Sequence, residues 1–411
     1  MVRPLAGDLP AGRSRRVALW NEQGQFDDGL AVLSRGPNSY TGEDTLEVTC
    51  HGNPILVDLL LGALLARGAR MAEPGEFTRR ALVNGKLDLI AAEAVDQVCR
   101  ATTLKGVAIA RGGLDGEISA FLDTHRSALI GVAADLEARL DYPADELAYL
   151  AEDQLVRTLH DAAATCRQIA GTFDAGRILV EGARVALVGA VNAGKSSLFN
   201  SILGRRRALV HALPGTTRDV LEVRHALQGC EITLLDTAGE RQTDDPIEAA
   251  GLALARELVG EADLLVIVLR AGPDGPTVAE EAILSRTADR RRIVVYNGVD
   301  VPGCAPAPAG AISTSAAEDT GIEALCSALV DALVGQSPRS AEVMIASARQ
   351  RDRLVALAAC LDEAVVALPI AGVAVAADAV TRGIDEIDAL TGADTREDVL
   401  DALFARFCIG K

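Results

Sequence analysis

Lysine is nearly absent from this chain. Lys86, Lys105, Lys195 and Lys411 are the only four among 40 basic residues. Where arginine serves by default, a lysine is either a chance retention or the mark of a site that wants a compact point charge rather than a planar fork. Long apolar runs are missing as well. No uninterrupted stretch reaches the ~18 residues of a membrane span, so no membrane association is expected. Met1 to Val17 carries arginines without a long apolar stretch after them, so no secretory leader is expected either. There is no Cys-x-x-Cys pair, and the eight cysteines are scattered singly. That argues against disulfides and zinc and for a reducing, cytoplasmic compartment. Positive charge is in short supply too. The net charge is −18, with no basic stripe of the kind that displaces counterions from phosphates. Any involvement with RNA is therefore expected to lean on a partner.

What is present is length and pattern. A chain of 411 residues, 49% apolar, exceeds one hydrophobic core and predicts two or three domains. Residues 36–52 read as a turn followed by a strand at Thr45–Cys50, then a helix from about Pro54 to Arg67. From Leu87 the texture becomes helical. Leu104, Val107, Ala110, Leu114, Ile118, Phe121, His125, Leu129, Val132 and Leu136 recur at intervals of three or four, one face of long packed helices. The pattern runs to about Ala170 with a break near Tyr142-Pro143. At Ile178 it gives way to short β-rich runs, Val185–Val188, Ile232–Leu235, Leu264–Leu269 and Ile293–Tyr296, separated by helical stretches. That alternation predicts a parallel sheet with helices on both faces. Helical periodicity returns from about Ser340 to Phe407. The expected fold is an α/β domain inserted in an α-helical bundle domain, with a small α+β domain in front. The expected divisions are 1–84, 85–177, 178–335 and 336–411.

The insert carries the chemistry. Gly189-Ala-Val-Asn-Ala-Gly194-Lys195-Ser196 matches the G-x-x-x-x-G-K-[ST] pattern between a predicted strand and a predicted helix, Lys195 to about Leu203. In such a loop the backbone N–H groups of residues such as Asn192, Ala193, Gly194 and Ser197 curl round phosphates, and the helix dipole adds to the field. Lys195 reaches the terminal phosphates and Ser196 offers a hydroxyl to Mg²⁺. Gly215-Thr216-Thr217-Arg218-Asp219 lies where a switch loop closes on Mg²⁺ and the γ-phosphate, with Thr217 as a candidate ligand. Asp236-Thr237-Ala238-Gly239 ends a strand and sets a carboxylate near Mg²⁺ and a glycine N–H near the γ-phosphate. Asn297-Gly298-Val299-Asp300 follows another strand. Asp300 can accept from the N1 and N2 donors of guanine, which adenine lacks. Ser315-Ala316 then offers a backbone N–H to the guanine O6. Each of the four downstream motifs is weak alone; in this order after the phosphate loop they predict a GTP site and make the inserted α/β domain a P-loop GTPase domain. The pattern usual for the base loop is Asn-Lys-x-Asp, and Gly298 replaces its lysine, which puts affinity but not guanine selectivity in question.

With these motifs stand Gly36-Pro-Asn-Ser-Tyr-Thr-Gly-Glu-Asp44, Pro74-Gly-Glu-Phe-Thr-Arg-Arg-Ala81, Asn84-Gly-Lys-Leu-Asp88 and the terminal Phe407-Cys408-Ile409-Gly410-Lys411. Together they make the chain resemble the MnmE (TrmE) family of tRNA-modification GTPases over nearly its whole length. The resemblance implies a homodimer working with the flavoprotein MnmG in a heterotetramer, modifying C5 of the wobble uridine of tRNA with a folate one-carbon unit. It implies GTP hydrolysis that depends on K⁺ and on G-domain pairing. Asn192 matches a K⁺ ligand of the family. The loop through His211, Ala212, Leu213, Pro214, Gly215 and Thr216 matches the segment that completes the K⁺ site, with His211, Leu213 and Thr216 as ligands. Glu248 matches the carboxylate that orients the attacking water; on its own residues it reads as a solvated surface group. Glu47, Lys86 and Lys411 match positions that contact a tetrahydrofolate derivative of the 5-formyl or 5,10-methylene type. Cys408 matches a thiol needed for modification, although a lone cysteine in an apolar helix also serves simple packing. The family opens with a strand and a Gly-rich turn that this chain lacks, so a folate domain short of a strand is expected. Two other readings stay open here: a ribosome-assembly GTPase, and a non-catalytic copy that binds partners only.

Overall fold

The computed structural model describes residues 2–4, 9–142, 149–204, 220–237, 259–335, 343–393, 397–405, 407 and 410. The chain divides into two units. One holds 1–99, 112–164 and 353–411, the other 100–111 and 165–352.

In the first unit a four-stranded antiparallel sheet runs in the order β1 (Val2–Pro4), β2 (Arg15–Asn21), β3 (Gly24–Ser34), β4 (Thr45–Thr49). Val17, Leu19 and Ala31 project from one face and are covered by Leu60 of α1 (Pro54–Leu65). The start of α1 is set locally. The side chain of Asn53 accepts from Ile55 N at 2.9 Å, and Pro54 follows at the first helical position, where its missing N–H costs nothing. The short helix α2 (Glu76–Val83) and α3 (Leu89–Arg100) follow, then α4 (Leu104–Leu114), which through residue 111 belongs to the second unit, α5 (Glu117–Asp141), and α6 (Glu152–Ala170), which belongs to the second unit from residue 165 on. On α5 four of the predicted positions, Ile118, Leu129, Val132 and Leu136, are buried, whereas Phe121 and His125 are half-buried and Leu122, outside the predicted stripe, is buried in their stead. The helix stops at Tyr142, whose backbone is extended, as the residue before Pro143 is biased to be.

Three further helices of this unit come from the far end of the chain: α11 (Ala348–Ile370), α12 (Val373–Thr391) and α13 (Glu397–Phe404). α12 packs along α5, and Arg126 of α5 makes a two-pronged pair with Asp388 of α12, at 2.7 and 3.1 Å. Helices from both sides of the insert thus share one unit. Among the described residues no helix is long and apolar enough to cross a membrane.

The second unit is built on a six-stranded sheet. Its strands are β5 (Ala183–Gly189), β6 (Val220–Leu227), β7 (Cys230–Thr237), β8 (Leu264–Arg270), β9 (Arg292–Asn297) and β10 (Ile312–Thr314), in the order β10-β9-β8-β5-β7-β6. All neighbours are parallel except the edge strand β6, which runs antiparallel to β7. Central strands of such a sheet are buried on both faces, which is why β8 reads Leu-Leu-Val-Ile-Val-Leu without alternation. Leu264, Val266 and Val268 enter one core with Leu198 and Phe199 of α8 (Lys195–Leu203) and Leu325 and Leu329 of α10 (Ile322–Val334). Leu265, Ile267 and Leu269 enter the other, with Tyr296 of β9 and Ile283 of α9 (Val278–Arg286).

The change to β-rich texture expected at Ile178 falls later. Helix α7 spans Phe173–Glu181 and ends at Gly182. Ile178, Leu179 and Val180 are all buried in that helix, and a short apolar run of this kind does not distinguish helix from strand by its period. Strands β1, β2, β3, β6 and β10 were not marked by the sequence pattern.

Candidate functional site

The phosphate loop forms where β5 meets α8, at the carboxyl edge of the parallel strands, the usual ligand edge of an open α/β sheet. Asn192 turns the chain with φ 64°, and Gly194 with φ 88° aims the first N–H groups of α8 into the loop. A Cβ at 194 would lie 2.3 Å from Nδ2 of Asn297, so this position has room only for glycine. Ala193 is buried, whereas Asn192, Ser196 and Ser197 are exposed. Lys195 is only 7% exposed and donates through Nζ to Gly189 O at 3.0 Å and Ala190 O at 2.9 Å. The ammonium is thereby held inside the arch that the loop draws round a phosphate chain.

Ser196 Oγ donates to Asp236 Oδ2 at 2.9 Å. A hydroxyl and a carboxylate side by side, with no sulfur or imidazole beside them in this group, are a hard-oxygen set that fits Mg²⁺. Thr237 continues β7 immediately after Asp236.

The base loop is held by Asn297, itself only 7% exposed. Its Nδ2 donates to Ala193 O at 3.4 Å, and its Oδ1 accepts from Thr314 Oγ1 at 3.2 Å and from Ala316 N at 3.3 Å. The phosphate loop, the end of β9 and the Ser315-Ala316 turn therefore share one carboxamide. Gly298 N and Val299 N both donate to Thr314 O, at 2.8 and 3.2 Å, which folds the loop back and leaves Asp300 exposed. Ser315 is buried. Its Oγ accepts from Glu318 N at 3.1 Å, and its backbone exchanges hydrogen bonds with Thr320. Gly298 adopts φ 92°, and the nearest atom to a Cβ built there is Ala271 Cβ at 4.0 Å, so the face above it is open.

Three participants carried no motif signal. Ser201 Oγ of α8 donates to Ala316 O at 3.2 Å, Thr314 buttresses Asn297, and Tyr296 OH bonds Gly272 N and O, each at 3.2 Å, tying down the loop after β8. Only their adjacency to Asn297 and Ser315-Ala316 could have pointed to Tyr296 and Thr314. Nothing marks Ser201.

Expected residues His211, Ala212, Leu213, Pro214, Gly215, Thr216, Thr217, Ala238, Gly239, Glu248, Cys408 and Lys411 lie outside the described residues.

In the first unit the three family-like segments come together. Tyr40 OH lies 2.9 Å from Thr78 Oγ1, Asn84 Nδ2 donates to Thr41 O at 2.8 Å, and Lys86 Nζ donates to Pro37 O at 3.0 Å. Arg80 bridges Glu76 at 2.6 Å and Glu43 at 2.7 Å, and Arg70 pairs with Glu76 at 2.6 Å. Hydrogen bonds from Arg70 first, then Arg80 and the Glu73 N–H, pull the Glu76 carboxyl down to about 2. A cavity of ≈ 250 Å³ lies beside this network, lined by Thr41, Glu43, Asp44, Arg70 and Phe77 among others. Glu47, exposed on β4, and Lys86 do not line it. Near the chain's end, Phe404 and Phe407 pack with Ala92, and Arg79 pairs with Asp401 at 2.9 Å.

Comparison with known proteins agrees with this arrangement. The family model described as MnmE helical domain matches residues 89–408, and that described as GTP-binding protein TrmE N-terminus matches residues 9–86. The tRNA modification GTPase MnmE of Parasynechococcus marenigrum is 40% identical over 416 residues, covering 100% of this chain and 89% of that one. Its counterpart in Geobacter sulfurreducens is 38% identical over 399 residues, covering 94% and 86%. That of Chloroflexus aurantiacus is 38% identical over 424 residues, covering 100% and 92%. By extent, identity and the domains matched, the chain belongs to the MnmE (TrmE) family of tRNA modification GTPases.

Proposed function

We propose that this GTPase of tRNA modification hydrolyses GTP at the β5–α8 site in a Mg²⁺- and K⁺-dependent way. It does so as a cytoplasmic homodimer whose activity is coupled, with the flavoprotein MnmG, to modification of wobble-uridine C5 in tRNA. The observation that carries this reading is the convergence on Asn297 of the phosphate loop and the base loop, with Lys195 and the Ser196–Asp236 pair at the same edge. The loop N–H groups and the Lys195 ammonium bind the phosphates, and the Lys195 hydrogen bonds to Gly189 O and Ala190 O set the height of that charge. Ser196 and Asp236 would hold Mg²⁺, which would supply positive charge to the phosphate chain. Asp300 and the Ala316 N–H select guanine.

Asn192, exposed at the crown of the loop, offers its carboxamide oxygen to K⁺, which supplies the positive charge that an arginine finger supplies elsewhere. His211, Leu213 and Thr216 complete that site, Thr217 joins the Mg²⁺ ligands, and Glu248 orients the attacking water. Glu47, Lys86 and Lys411 hold a tetrahydrofolate derivative, the source of the one-carbon unit, and Cys408 serves the modification step.

The test is steady-state GTP hydrolysis by the purified chain in KCl and in NaCl, with ATP as control. GTP-selective turnover that is at least tenfold faster in K⁺ is expected. Equal rates in both salts would remove the K⁺ role of Asn192, and no turnover in either would favour the non-catalytic copy.

A further inference from the structure

We propose that Arg270 is a nucleotide-binding residue, whose guanidinium lies along the guanine side of bound GTP and supplies from β8 the cation that the base loop, with glycine at 298, does not carry. The inference rests on the GTP reading above and adds to it a residue that no motif marks.

Arg270 is the last residue of β8, and its Cα is in register with Asn297 of β9. Adjacent strands lie about 4.8 Å apart, and side chains at paired positions leave the sheet on the same face. That face is identified by the core. Val268 and Val295, two residues back on each strand, pack with Leu198 and Phe199 of α8, whereas Leu269 and Tyr296 pack on the opposite side. Arg270 therefore stands beside Asn297, on the side of the sheet that carries α8 and the phosphate loop. The residue that follows it, Ala271, donates through N to Asn297 O at 2.8 Å and supplies the atom nearest to Gly298.

The backbone of Arg270 is fixed while its head group is not. Arg270 N donates to Glu280 Oε1 at 2.7 Å. The Glu280 carboxylate is 1% exposed and also accepts from Thr277 N at 2.8 Å and Thr277 Oγ1 at 2.9 Å, so it is committed to backbone and cap. Among the described residues the guanidinium has no hydrogen-bond or ion-pair partner, and the residue is exposed. An arginine held at its root, unpaired at its tip and set at the ligand edge of a parallel sheet is suited to a flat, electron-rich, anionic ligand. A guanidinium stacks on purine faces and pairs with phosphate or ribose oxygens, which a compact ammonium does less well.

The test uses the full chain and a fluorescent N-methylanthraniloyl-GDP in Mg²⁺ buffer. Arg270→Ala is expected to weaken binding about tenfold, the scale of one desolvated cation–π contact. Arg270→Gln, similar in reach but neutral, is expected to weaken it comparably, and the melting temperature of the nucleotide-free protein should not move in either variant. Unchanged affinity in both variants, while Lys195→Ala abolishes binding, would overturn the role of Arg270 and leave the nucleotide site standing. A fall in the nucleotide-free melting temperature that accounts for the lost affinity would also overturn it, making Arg270 a structural residue. Unchanged affinity in Lys195→Ala would sink the GTP reading itself.

Discussion

Nδ2 of Asn297 occupies the space that a side chain at position 194 would need: a Cβ on Gly194 would lie 2.3 Å from it. The two residues are far apart in sequence, one opening α8 and the other closing β9, yet position 194 cannot gain a side chain while Asn297 stands where it does. Asn297 is in turn held by Thr314 and Ala316 through Oδ1.

Gly194→Ala therefore combines two penalties. The left-handed backbone, φ 88°, costs an L-residue roughly 1–2 kcal/mol, and the methyl group must displace the Asn297 carboxamide. A loss of GDP affinity of at least tenfold is expected, with a smaller loss for Asn297→Ala, which removes the brace and adds no clash. Titration with fluorescent GDP checks both. Equal affinity in Gly194→Ala and the unaltered chain would contradict the close approach.

Ser196→Ala leaves Asp236 without its 2.9 Å partner and removes one candidate Mg²⁺ ligand. The expected signature is not simple weakening but lost metal dependence. GDP binding by the unaltered chain should tighten about tenfold, or roughly 1.4 kcal/mol, when Mg²⁺ replaces EDTA. Binding by Ser196→Ala should be nearly the same in both buffers.

Glu76 predicts a pH dependence of stability. Its carboxyl is lowered from 4.5 to about 2 by Arg70 and Arg80, so the folded state binds the proton more weakly than the unfolded chain does. The stabilisation is fully present above about pH 5 and is lost as pH falls toward 2. Both arginines are well exposed, at 63% and 44%, and solvent screening holds the contribution to about 1–2 kcal/mol. Glu76→Gln should be less stable than the unaltered chain by that amount in urea titrations at pH 7. The difference should shrink as the pH approaches 3.

Much of the nucleotide site was legible because it is local. A glycine-rich turn between an apolar strand and a helix needs only contiguous residues, and Gly189 to Ser196 supplies them. Asp236 and Asn297 were legible for a similar reason, each ending a short β-branched or leucine-rich apolar run within an alternating strand–helix pattern. The long stripes of α5 were legible because a helix repeats its buried face every three or four residues over 25 residues.

The strands that went unmarked are those whose burial depends on neighbours. β3 carries Gln25, Asp27 and Asp28 within a strand, and it persists because β2 and β4 pair with it on both edges. β10 has three residues and exists only by lying parallel to β9. β6 is an antiparallel edge strand whose core positions, Val223 and Leu227, are spaced among other apolar residues that show no clean alternation on their own.

By itself the sequence determined the buried strands β5, β7, β8 and β9 of the inserted unit, the motifs that follow them, and the family, because these reside in contiguous residues and their spacing. Only the tertiary structure decided that residues 100–111 belong with the nucleotide unit. There Thr103 Oγ1 donates to Leu179 O at 2.8 Å, and Gly106 approaches so closely that a Cβ would meet the same carbonyl at 2.3 Å. It also decided that Arg270 shares a face with Asn297, which follows from the register of β8 against β9. Both depend on hydrogen bonds and packing between segments remote in the chain, and such pairings are written in no local pattern.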